Sequence, residues 1–184
     1  MTRYTPYYQR DALIATIVLI VLCMPAWAIP NMSEYTVKAV FFERFARFVT
    51  WPDGLGMDDN SKSFVITVIG KNPFSSILEK LYAKRKIKDK KVEIRYIEKP
   101  EEIKTCHILF ISDSMKNQLE SILEITEKLP ILTIGDTEGF AENRVHINLY
   151  TETQEYPFEI NAGATRESGL EMDYVLLNMA KIIE

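Results

Sequence analysis

The sequence predicts an α/β fold: one domain with a mostly parallel central sheet flanked by helices, finished by a C-terminal β-hairpin and a closing helix. Three observations carry that reading. Strand-like and helix-like segments alternate between residues 64 and 134. The runs Phe64–Ile69, Ile108–Ile111 and Ile131–Ile134 are apolar almost without interruption, as expected of strands covered on both faces. The last third changes to short alternating runs, the signature of antiparallel pairing. Composition agrees, because 184 residues with 47% hydrophobic and 26% charged side chains suit a globular domain and exclude a disordered tail or a collagen-like repeat.

The first 28 residues read as a removable export signal. Arg3 and Arg10 precede the greasy run Ala12–Met24, which is shorter than the roughly 20 residues a membrane-spanning helix needs. Pro25 breaks that run, and Ala26-Trp27-Ala28 sets small residues where a signal peptidase reads, so cleavage is expected after Ala28. The expected organisation is therefore a signal peptide over 1–28 and one domain over 29–184. Cleavage would remove Cys23 and leave Cys106 without an intramolecular partner, although a lone thiol could still couple two chains as a homodimer. The net charge of −4 becomes more negative without the two leader arginines, which argues against nucleic acid as a partner.

Ser33 is a plausible cap for a helix reaching about Val49. Counted from Val37, the apolar positions Val40, Phe41, Phe45, Phe48 and Val49 form one face, with Arg44 inside the stripe and Phe42 beside it. Trp51-Pro52-Asp53-Gly54 ends the helix in a turn. Phe64–Ile69 is a central strand, residues 74–84 have helical spacing, and KRKIKDKK at 84–91 reads as a solvated loop or edge. Val92–Ile97 alternates like an edge strand. Two buried strands at 108–111 and 131–134 bracket a helix over 114–129. Residues 145–150 and 156–160 read as a hairpin at the sheet edge, Asn161 caps a helix, and Met172, Val175, Leu176, Met179, Ala180 and Ile183 give the closing helix its apolar face.

Motifs for catalysis, metal binding and nucleotide binding are missing: there is no H-E-x-x-H, C-x-x-C, G-x-S-x-G or P-loop pattern, and no cofactor is expected. His107 and His146 fall in or beside strands, where a satisfied structural imidazole is the ordinary case. Ligands of parallel sheets sit at the carboxyl ends of strands. That rule nominates Lys71, Asn72, Asp113 and Asp136 as candidate ligand-binding residues.

Several runs together resemble the YfiR family of periplasmic regulators. They are Glu34–Ala39 with Phe45–Pro52, Cys106–Ser112, Leu132–Asp136 with Gly139-Phe140-Ala141, and Phe158–Asn161 with Gly169-Leu170. The resemblance implies a Rossmann-like domain exported to the periplasm. It implies binding to, and restraint of, the periplasmic sensor region of an inner-membrane diguanylate cyclase or sensor kinase, with an OmpA-type outer-membrane lipoprotein drawing the regulator away. The chain departs from its relatives in having no partner for Cys106, and in carrying Arg44 where they often have a neutral polar residue. Aromatic and arginine anchors dominate most interfaces, which nominates Phe42, Arg44, Tyr156, Phe158 and Arg166 for partner contact. A small-ligand sensor and an accessory of a histidine kinase stay open as alternatives.

Overall fold

The computed structural model describes residues 33–59, 61–149 and 157–183. The expected leader, its cleavage site and Tyr156 lie outside them. Helix α1 (Glu34–Phe48) is capped by Ser33, whose Oγ accepts the Thr36 N–H at 3.3 Å. It runs into β1 (Val49–Thr50). There follow β2 (Phe64–Ile69), α2 (Ile77–Tyr82), β3 (Lys86–Ile87), β4 (Lys90–Ile97) and β5 (Ile108–Ile111). A 3₁₀ turn, Asp113–Gln118, leads to α3 (Leu119–Thr126) and β6 (Leu132–Gly135). The last third holds β7 (Ile147–Asn148), β8 (Glu159–Asn161), α4 (Ala162–Glu167), β9 (Glu171–Met172), α5 (Tyr174–Leu177) and β10 (Lys181–Ile183).

Among the described residues, eight strands form one sheet in the order β10-β8-β7-β6-β5-β2-β4-β3, and β1 pairs separately with β9. Only the β3–β4 and β7–β8 pairings are antiparallel; the other five are parallel. The continuous apolar runs have a direct explanation in the sheet's two covers. Phe64, Ile66 and Val68 of β2, with Ile108 and Phe110 of β5, enter one core under α1 and α2. Val65, Ile69, Leu109 and Ile111 point the other way, into a second core with Met115, Leu119, Ile122 and Phe140. A strand buried on both sides has no polar face to show.

The structure rotates α1 relative to the face counted from Val37. Its buried residues are Lys38, Ala39, Phe42, Phe45 and Ala46, while Val37 is 39% exposed. Phe42 is fully buried and meets Phe74 at 5.5 Å and Phe110 at 5.9 Å between ring centroids. Arg44, two residues and so about 200° further round the helix, is exposed and lays its guanidinium over Phe41 at 5.8 Å.

Three expectations about the sheet change. The alternating strand β4 is second from the edge, because KRKIKDKK supplies β3 as a short outer strand; Lys88 and Asp89 take left-handed φ of 51° and 62° at the turn. β7 and β8 pair antiparallel as expected, but β10 covers β8, so they are not the edge. The closing helix shortens to the four residues of α5. Asp173 caps it by accepting the Val175 N–H at 2.7 Å, and Lys181–Ile183 then extend as strand. Gly169 at φ 75° and that new cap break the helical register, and β-branched Ile182 and Ile183 favour the extended form.

Both histidines are neutral acceptors inside the fold. His107 Nδ1 accepts the Val65 N–H at 2.9 Å, and His146 Nδ1 accepts the Thr133 N–H at 3.1 Å. Burial pushes His107 below the ordinary value and His146 down to about 4. Unfolded, the same imidazole takes a proton near 6.5, so acid draws protons onto the unfolded chain first. The stability His146 provides when neutral is present above pH 6.5 and is lost toward pH 4, an effect on the order of 3 kcal/mol. Urea midpoints should therefore fall across that window, and His146→Gln should flatten the slope with pH even where it lowers the midpoint itself; an unchanged slope would contradict the assignment.

Candidate functional site

The described residues expose eight large hydrophobic side chains, and four of them fall between Tyr174 and Ile182: Tyr174 at 74%, Val175 at 50%, Met179 at 47% and Ile182 at 43%. The concentration follows from the broken helix. α5 buries Leu176, the next turn buries Ala180, and the remaining apolar residues are left facing outward. Beside them lies an apolar groove of about 360 Å³ lined by Thr165, Arg166, Leu170, Met172 and Leu177. A second concavity of about 500 Å³ shares Ala162 and Arg166 with it and adds Ile182. Surfaces that are apolar, rich in methionine and aromatic residues, and flanked by an arginine are the usual make-up of protein contacts.

Of the residues nominated for partner contact, Arg166 stands on this surface. Arg44 is exposed on α1. Phe42 and Phe158 are 0% and 1% exposed, so neither presents itself to a partner; Phe158 packs edge-on against Phe45 at 5.0 Å. Sequence periodicity missed Val175 and Met179 as surface residues because it placed them in the apolar face of a closing helix, and it singled out neither Tyr174 nor Ile182. The available signal was the sequence Gly169…Asp173, a helix stop followed by a fresh cap.

The residues nominated at the strand ends behave differently from one another. Lys71, Asn72 and Asp113 are exposed. Asn72 is committed to its own turn, with Oδ1 accepting the Phe74 N–H and Nδ2 donating to the Ser75 carbonyl, both at 2.9 Å. Asp136 is held by Lys38, whose Nζ donates to Oδ2 at 2.8 Å; the two side chains are 4% and 11% exposed. Lys38 also lies 4.7 Å from the Tyr35 ring centroid. Burial opposes its charge, but hydrogen bonds to Asp136 and Glu34 outweigh that and hold Lys38 above the ordinary lysine value. Burial and the nearby Asp136 raise Tyr35. This pair ties α1 to the carboxyl end of β6.

The runs that carry the family resemblance have structural work to do. A Cβ on Gly135 would stand 2.4 Å from the Phe140 ring, so the glycine makes room for that side chain. Asn161 caps α4 by accepting the Ala164 N–H at 2.8 Å and donates to the Ala141 carbonyl at 3.0 Å. Cys106 is 1% exposed, and burial pushes its thiol up to about 11, which keeps it protonated and unreactive at neutral pH. Among the described residues no group of three or more His, Cys, Asp or Glu is placed to hold a metal ion.

The comparison of this chain with protein families defines its class. Residues 35–181, about four-fifths of the sequence, match a family of regulatory proteins of cyclic di-GMP signalling, regulatory rather than catalytic in character. That family is the YfiR/HmsC-like family, and the chain belongs to it. A search of curated proteins gives no match.

Replacing Lys38 by Met should destabilise the domain by about 3–5 kcal/mol, because Asp136 is then buried without its countercharge. Adding Asp136→Leu should return part of that loss. Equilibrium urea unfolding of the single and double variants checks the coupling, and strictly additive losses would show that the pair does not act as one unit.

Proposed function

We propose that the protein is an exported regulator that works in the periplasm after cleavage behind Ala28. It binds the periplasmic sensor region of an inner-membrane diguanylate cyclase and holds the enzyme in its inactive state, lowering cyclic di-GMP. An OmpA-type outer-membrane lipoprotein, by competing for the regulator, would relieve the restraint. Family membership supports the regulatory role, and the observation that carries the mode of action is the exposed apolar surface around Tyr174–Ile182 and Arg166.

The mechanism needs only differential affinity. A regulator that binds the inactive state roughly 10⁴-fold better than the active one moves the cyclase from 1:99 to 99:1. Apolar contact supplies that affinity once the exposed side chains are covered, and Arg166 adds a directional contact at the rim. No step of substrate chemistry is asked of the regulator itself.

Deleting the gene should raise cellular cyclic di-GMP and surface attachment, and wild-type protein supplied back should restore both. Val175→Asp and Met179→Asp alter side chains that are half exposed, so each should fold within about 0.5 kcal/mol of wild type yet fail to restore repression. Normal repression by both variants, with wild-type melting, would exclude this surface as the contact; an unchanged cyclic di-GMP level on deletion would exclude the cyclase.

A further inference from the structure

The regulatory reading gives no role to the most concentrated charge in the chain. Residues 80–91 hold seven Lys and Arg against one Asp, six positive charges in a chain whose net charge is −4, so everything else carries −10. In the fold this stretch becomes the end of α2, strand β3 and the turn into β4, and β3 is the outermost strand of the sheet. The cations are therefore gathered at one margin of the molecule.

Two features separate this margin from an ordinary solvated edge. Lys80, Lys84, Lys86 and Lys91 are exposed, and among the described residues none of them forms an ion pair. Neighbouring carboxylates are engaged elsewhere: Glu43 meets Arg85 at 3.5 Å and Arg47 at 3.3 Å, Glu79 accepts the Tyr96 hydroxyl at 2.6 Å, and Glu93 holds Arg95 at 2.7 Å. Lys88 shares a concavity with Asp53, Asp58 and Asp89, and Lys90 is buried against the Asp59 carbonyl, so neither belongs to the open set. Secondly, the register of β3 and β4 sets Lys86 directly opposite Lys91. Like charges facing each other across a ladder oppose the pairing, and a neutral residue at either position would remove that repulsion. A charge on an outer strand discourages edge-to-edge pairing, but Lys86 alone would supply it.

The kind of cation identifies what the margin meets. Apart from Arg85, already paired, the open charges are lysines, and the apolar residue of β3, Ile87, is 1% exposed inside the core. Protein interfaces are depleted in lysine and anchor on aromatic and arginine side chains. Specific phosphate sites favour the arginine fork, whereas hydrated ammonium groups on flexible stems suit a broad field of negative charge. The acidic remainder of the chain would be repelled by any polyanion that wrapped it. A flat surface touched by one margin avoids this, because charges more than about 8 Å away are screened at physiological salt.

We propose that this margin docks on an anionic phospholipid bilayer, with Lys80, Lys84, Lys86 and Lys91 among the headgroup phosphates. β3 and β10 close opposite ends of the sheet, so a molecule resting on lipid through β3 keeps the Tyr174–Ile182 surface at its opposite margin, free for a protein partner. The lipid contact belongs to this chain alone and is measured without any cyclase. Its failure leaves the regulatory reading standing, and the converse also holds.

Co-sedimentation with vesicles, using the protein as its cell processes it, tests the contact. Phosphatidylcholine vesicles containing about a third phosphatidylglycerol should carry the protein down, and pure phosphatidylcholine should not. Salt at about 1 M, where the screening length falls to about 3 Å, should release it. Each lysine removed should weaken binding about fivefold, so Lys80→Gln, Lys84→Gln, Lys86→Gln and Lys91→Gln combined should abolish it. Lys99→Gln, Lys104→Gln, Lys116→Gln and Lys128→Gln combined remove the same charge from other exposed positions and should retain binding. The hairpin variant should melt no lower than wild type, since the Lys86–Lys91 repulsion is gone. Duplex DNA should bind far more weakly than the anionic vesicles. The proposal is overturned if anionic vesicles fail to sediment the protein or neutral ones do so equally, if the hairpin variant still binds, or if both variants lose binding alike. A hairpin variant that melts below wild type, or DNA binding as tight as lipid binding, overturns it as well.

Discussion

The structure depends on burying both faces of three short parallel strands, β2, β5 and β6. Each is only four to six residues long, so the hydrogen-bond ladder by itself contributes little net stability. What holds them is the pair of cores that their alternate side chains enter. The Phe42–Phe74–Phe110 cluster fastens α1 and α2 to one face, and Met115, Ile122 and Phe140 fasten the other. The Lys38–Asp136 pair then fixes where α1 lies along the sheet. The two histidines accept backbone N–H groups as neutral rings and Lys38 pairs with Asp136, in keeping with the cost of burying an unsatisfied group.

That constraint explains where the molecule can interact. The middle of the sheet has no free face, so contact must come from its ends and margins. At one margin β10 ends the sheet and leaves Tyr174, Val175, Met179 and Ile182 open to solvent. At the other, the β3–β4 hairpin faces the loop after Trp51 across an open concavity lined by Asp53, Asp58, Lys88 and Asp89. The exposed apolar surface thus sits on elements that the double core leaves outside it.

Much of the fold was legible in the sequence because the physical signal was strong. Uninterrupted apolar runs identify strands covered twice: Phe64–Ile69 and Ile108–Ile111 emerge where expected, and the third, expected over 131–134, runs one residue later as Leu132–Gly135. The rotation of α1 was not legible, since Val37, Phe41 and Phe42 are equally apolar and only packing against Phe74 and Phe110 decides which turns inward. The C-terminal segment misled for a related reason. A helical period of apolar residues persists from Met172 to Ile183, but local capping by Asp173 and the demand of β8 for a partner override it. The same override converts an expected buried stripe into the exposed surface. Lys38 was missed because it lies off the stripe counted from Val37 and its countercharge stands 98 positions away.

The central claim is that the chain regulates by docking through its C-terminal apolar surface. Hydrogen exchange of the full chain, with and without the periplasmic region of its cyclase, tests this most directly. The account predicts slower exchange at Tyr174–Ile182 and around Arg166, with β2 and β5 unchanged. Inhibition of the cyclase with no added protection in that segment would contradict it.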